Sequence, residues 1–127
     1  MTMLPVLPDA ELLLIQHIRN HAGLTSLLTG GHVSNVLGSA RPFVQVTRVG
    51  GTPLDGQEDH ARLQVATWAT TDSAASLLAR TIVATLPDVI GSEVRGWELV
   101  LGPFPQPDDN DARYIFDVEM LIYANGG

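Results

Sequence analysis

Pro42-Phe-Val-Gln-Val-Thr-Arg-Val49, Ala61-Arg-Leu-Gln-Val-Ala-Thr-Trp-Ala69 and Asp72-Ser-Ala-Ala-Ser-Leu-Leu-Ala-Arg80 decide the fold of this chain. The first two runs are rich in β-branched and aromatic residues. In the second, Leu63, Val65 and Thr67 alternate with Arg62, Gln64, Ala66 and Trp68, the period of a strand whose two faces differ. Residues 50–60 between the runs hold three glycines and a proline, which predicts a hairpin with a long, acidic tip. Asp72 then opens a helix over residues 73–86. Ala75, Leu78, Ala79, Ile82, Val83 and Leu86 share its apolar stripe, Ser73, Ser76 and Arg80 face away, and Pro87 ends it.

Working outward, residues 8–21 form a first helix. Pro8 suits its opening turn, and Asp9 and Glu11 place negative charge at the positive end of the helix dipole. Leu12, Ile15, Ile18 and Ala22 make the expected stripe, widened by Leu14, with Gly23 as the stop. Residues 24–28 add a short turn, and residues 32–37 read equally as a short strand or a loop. Towards the other end, residues 94–101 and 112–124 form a second strand pair. Its link, residues 102–111, carries prolines at 103, 105 and 107, so it is stiff and extended. In the last strand Tyr114, Phe116, Val118, Met120 and Ile122 form an apolar face, opposite a mixed face of Ile115, Asp117, Glu119, Leu121 and Tyr123. At 3.3 Å per residue that strand is about 40 Å long, enough to overhang its own sheet. The fold class is α+β: a mostly antiparallel sheet of about four strands carrying two helices, in the order α-β-β-α-β-β, as a single domain over residues 1–127.

Bulk composition narrows the function. A chain of 127 residues buries roughly two-thirds of its unfolded surface, enough for its own core. With no cysteine, disulfides, thiolate metal sites and thiol nucleophiles are excluded. No apolar run approaches the ~20 residues that span a bilayer, and the opening residues lack a signal-peptide pattern, so synthesis in the cytoplasm and no membrane partner are expected. The net charge of −7 argues against a general nucleic-acid binder while leaving room for DNA as a passing neighbour that an acidic wall does not hold. All basic residues are arginine, the bias of a GC-rich genome.

No cluster of residues identifies a chemistry. His17 and His21 have a metal-pinching i, i+4 spacing but no third ligand, and they read as solvent-facing. Asp108-Asp-Asn-Asp111 lacks the glycine and closing glutamate of a calcium loop and reads as a solvated turn. Asp117 and Glu119 are paired carboxylates on one strand face, but their neighbours Ile115 and Leu121 suggest an edge or contact surface, not a sugar cleft. No nucleophile elbow or phosphate-binding loop is present, and Trp68 and Trp97 read as core or rim aromatics. No catalytic residue, metal or cofactor is expected.

The order of elements, together with residues 42–49, 61–69, 72–80 and the closing Asp111-Ala-Arg-Tyr-Ile-Phe-Asp-Val-Glu119, resembles the tail terminator (tail completion) family of long-tailed bacteriophages. The likeness runs from about residue 8 to 124. The tip at residues 50–60 departs from the pattern in length and acidity. The resemblance implies a structural virion protein, made in the bacterial host cytoplasm, that forms a ring, typically a hexamer, on the head-proximal end of the tail tube. Such a ring ends tube growth, touches the major tail tube protein, offers the joining surface to head-tail connector or neck proteins, and lets DNA pass. In that setting Leu54 and Leu121 are candidate apolar anchors of subunit or partner contact, with Asp55, Glu58, Asp59 and Tyr123 beside them. Some of the acidic residues, Asp117 and Glu119 first among them, would face the lumen. Two other readings stay open: a neighbouring neck component such as a head-completion or stopper protein, and a small-molecule enzyme or ligand-binding α+β domain.

Overall fold

A computed structural model describes residues 7–54, 58–109 and 111–124, with Pro53 and Leu54 described in their backbone alone. Its elements are α1 (Ala10–Asn20), β1 (His32–Ser34), β2 (Phe43–Leu54), β3 (Glu58–Ala69), α2 (Asp72–Thr85), β4 (Val94–Pro105) and β5 (Ala112–Tyr123). Short 3-10 turns follow each helix, at Ala22–Leu24 and Leu86–Val89. The strands form one sheet in the order β1-β2-β3-β5-β4, with β1 parallel to β2 and every other pair antiparallel. The class is the α+β expected, with five strands in place of about four. The addition is β1, a three-residue strand too short to carry a periodic signal.

Pairing extends the strands beyond their sequence-based limits. The β2–β3 ladder continues through Gly50 and Gly51 to Leu54↔Glu58, so most of the expected tip is strand. Gly51 permits this at φ +90°, since a Cβ there would lie 1.8 Å from the His60 carbonyl oxygen. β4 likewise runs on through the proline-containing link to Pro105. Nor does β5 overhang: it lies between β3 and β4, paired with β3 along its whole length. Asp117 and Glu119 therefore sit on the face of a central strand and not on an edge.

Both helices pack on one face of the sheet. α2 starts one residue earlier than expected because Thr71, not Asp72, is the cap: its hydroxyl accepts from the Ala74 N–H at 3.2 Å. The helix buries Ala75, Leu78, Ala79 and Ile82 as its stripe requires. They meet Leu63 and Val65 of β3 and Phe116, Val118, Met120 and Ile122 of β5, a core in which each large side chain contributes about 1.5–3 kcal/mol. The buried Thr67 hydroxyl donates to the Ala75 carbonyl at 2.9 Å. α1 is capped by Asp9, which accepts from the Leu12 N–H at 3.2 Å. Its buried row is Ala10, Leu14, Ile15 and Ile18, while Leu12 stays 45% exposed and Ala22 is exposed too. Leu12 to Ile15 are consecutive apolar residues, so local spacing alone did not select which row meets the sheet.

The other face is open. A small second core of Phe43, Ala66, Trp68 and Ile115, flanked by Ala40 and Phe104, covers one end of it. The rest is polar and partly solvated, as an uncovered antiparallel face is.

Candidate functional site

With no catalytic cluster expected, the surface to inspect is the uncovered sheet face, where period 2 places alternate residues of β3, β5 and β4. The register sets Gln64 opposite Asp117, Arg62 opposite Glu119, His60 opposite Leu121 and Glu58 opposite Tyr123. Asp117, only 5% exposed, accepts from Arg62 Nε and Nη2 at 3.2 and 3.1 Å and from Gln64 Nε2 at 3.4 Å. Its charge is compensated inside the sheet surface. Glu119 is more open, at 44% side-chain exposure, and stands opposite Glu98 of β4, a like-charge pair that repels across the strands. His60 lies between two carboxylates, 3.9 Å from Glu58 and 3.8 Å from Glu119. Beside them Gly96 leaves a shallow cleft of about 160 Å³, lined also by Trp97, Glu98 and Leu121. Arg95 stacks over the Tyr123 ring at 5.2 Å.

The candidate contact residues are thus divided. Glu58, Leu121 and Tyr123 share the open face with Asp117 and Glu119. Asp59 points to the opposite, helix-bearing face, where it is 2% exposed and binds Arg48 in a bidentate pair with both contacts at 2.6 Å. That pair, together with the charge of Glu11, holds the Arg48 guanidinium even more firmly protonated than usual. Asp59 is a structural ion-pair member and has no free charge to offer a neighbour. Asp55 and the Leu54 side chain lie outside the described residues.

At the far end of the open face, Trp68 is held between Arg113 and Arg41, whose guanidinium carbons lie 4.9 and 5.4 Å from its ring. Arg41 donates to Asp111 at 2.9 Å and to the Gly38 and Ala40 carbonyls, and Arg113 donates to both oxygens of Gln106. This stack fastens the segment before β2 to the link before β5. Asp111 is an ion-pair partner and not simply part of a solvated turn. Sequence reasoning missed the stack, because its members are 27 to 72 residues apart.

His17 and His21 are not solvent-facing. The Thr85 hydroxyl donates to the Ile82 carbonyl at 2.7 Å, so at 3.0 Å it accepts from His17 Nε2. His21 Nδ1 accepts from the Gly23 N–H at 3.0 Å, which leaves Nε2–H to donate to Asp88 at 2.8 Å. The pair ties α1 to the end of α2 as a tertiary fastener. Burial first, then the neighbouring His21, pulls the His17 pKa below its ordinary 6.5. Among the described residues no three His, Asp or Glu side chains stand close enough to hold a metal ion, and no helix is long and apolar enough to cross a membrane.

No protein-family model matches the chain, and comparison with curated proteins gave no match in sequence. The fold is similar to that of a chain in the virion of a native gene transfer agent (GTA) particle, with a TM-score of 0.59 at 12% sequence identity. The superposition covers 90% of this chain and 94% of that one, so the likeness concerns the whole fold and not a shared fragment.

Proposed function

We propose that this chain is a structural protein of a tailed, phage-like particle, the ring-forming subunit that caps the head-proximal end of the tail tube. On this reading the ring, a hexamer, ends tube growth against the major tail tube protein and presents the joining surface for the head's neck proteins. DNA passes through it and is not held. The observation that carries the reading is the end-to-end fold likeness to a chain of a gene transfer agent virion. The likeness of element order and local segments to tail terminators supports the finer role. The arrangement of the open face is consistent with it, since its one buried carboxylate among the described residues, Asp117, is held by Arg62 and Gln64 and not turned towards a reactive centre.

The test is removal of the gene from a particle-producing strain. Loss of a tube-capping ring leaves tails of uncontrolled length and filled heads without tails, seen by electron microscopy and reversed by supplying the protein. Tails of normal length that fail to join heads would instead make the chain a head-completion or stopper component. Normal particles in normal number would overturn a virion role altogether.

A further inference from the structure

Phe43-Val-Gln-Val-Thr-Arg-Val49 is rich in β-branched and aromatic residues, with a single charge and no glycine or proline. Such a run pairs readily with strands of other chains wherever its backbone edge is left open. One side of it is taken by β3, in register from Phe43 to Arg48. On the outer side β1 pairs with Phe43, Val44 and Gln45 only. It ends there, where the Ser34 hydroxyl accepts from the Val36 N–H at 3.2 Å. The Arg48 N–H, further along, donates to the Glu11 carboxylate at 2.7 Å. The other oxygen of that carboxylate accepts from Asn35 Nδ2 at 3.2 Å, just past the end of β1. Glu11 therefore stands on the outer side of β2, where a longer β1 would have offered a carbonyl oxygen. Beyond Arg48 the ladder skips Val49, and Gly50, Gly51 and Pro53 follow, the last without an N–H. Each of the three bonded residues has an exposed apolar neighbour in the chain: Leu12 at 45%, Val36 at 70% and Val49 at 49% exposure.

We propose that Glu11 guards this edge: its carboxylate occupies the Arg48 N–H and so keeps residues 43–49 of a free chain from pairing with strands of other chains. A strand adding to β2 beyond β1 would have to bring a carbonyl oxygen to that N–H. It would meet a negative charge already bonded there, which repels the incoming oxygen and competes with it for the one donor. Tertiary structure sets the guard in place. Asp9 caps α1, and Arg19 fixes α1 against β1 by donating to the Val33 carbonyl at 3.2 and 2.7 Å. A carboxylate in the first turn of α1 also suits the helix dipole, but that role does not require the bond to Arg48. The guard acts on the free chain and does not depend on the ring proposed above. A closed ring has one size, whereas strand addition is open-ended.

Four variants of the full chain test this. Glu11→Ala removes the guard, Glu11→Gln keeps an acceptor oxygen in place, and Asp9→Ala removes the helix cap without touching the edge. The fourth adds Val49→Lys, a charge on the same edge, to Glu11→Ala. Incubated at one concentration, below the melting transition of each, Glu11→Ala should form thioflavin-binding aggregates of no fixed size. Wild type, Glu11→Gln, Asp9→Ala and the double variant should not. Exchange of the Arg48 amide, followed by NMR, should be about tenfold faster or more in soluble Glu11→Ala than in wild type, and near wild type in Glu11→Gln. A Glu11→Ala protein that stays free of such aggregates would overturn the guard. So would equal aggregation by Asp9→Ala, which would trace the effect to lost helix stability. Aggregation that Val49→Lys leaves unchanged would place the association elsewhere in the chain and overturn it too. An Arg48 amide that exchanges equally fast in wild type and Glu11→Ala would remove the hydrogen bond on which the guard depends.

Discussion

Asp59 and Asp117 are the buried carboxylates among the described residues, and each is held by one arginine. Removing an arginine would strand a charge with few alternatives, which costs more than the pair gains by existing. Arg48→Met should therefore lower stability by about 2–3 kcal/mol, and Arg48→Met combined with Asp59→Leu should recover most of that loss. Urea unfolding of the two variants checks both statements. His17 sets a pH dependence of known sign. Its folded pKa lies below the ordinary 6.5, so below that pH the unfolded chain binds more protons than the folded one and stability falls with falling pH. His17→Gln, which keeps a donor for Thr85, should lose less melting temperature than wild type between pH 7.5 and 5.5. An equal loss in both proteins would remove His17 from the acid response. None of these pairings was visible in the sequence. Arg62–Asp117 needs the register that sets β3 against β5, and His17–Thr85 joins residues 68 apart, so no local pattern marks either.

α2 is the element whose placement was most legible, because its apolar residues recur at 3.6 and nothing competes with that row. Ile82 is fully buried beneath it against the sheet. Ile82→Asp would place an unpaired charge in that core at a cost of several kcal/mol, comparable with the whole stability of a small domain. The variant should show no cooperative unfolding transition; a soluble protein with native melting temperature would contradict this packing. The β2–β3 hairpin and the two faces of β5 were legible for the same reason, with period 2 in place of 3.6. The row of α1 that is buried was not, since Leu12 to Ile15 offer several equivalent stripes. β1 was not either, because three residues carry no period and it is held by pairing with β2 and by Arg19 donating to the Val33 carbonyl. The full lengths of β2 and β4 were hidden by glycines and prolines, whose local preference for turns is overridden once a partner strand supplies the ladder.

Taken whole, the molecule carries a net charge of −7 and an open sheet face on which Glu119 stands opposite Glu98. If that face lines the proposed ring, Glu119 and not the Arg62-bound Asp117 is the group that repels passing phosphate. Glu119→Arg should then slow DNA ejection without blocking assembly, and more so at low salt, where attraction to phosphate is least screened. Equal ejection rates at both salt concentrations would leave the ring a mechanical cap and adaptor. The capping role itself meets its most direct test in where the protein sits. Particles assembled with a chain carrying a small gold-binding tag can be imaged by electron microscopy. One labelled site per particle is expected, at the junction of head and tail. Label along the tube, at the distal tip or on no particle at all would contradict it.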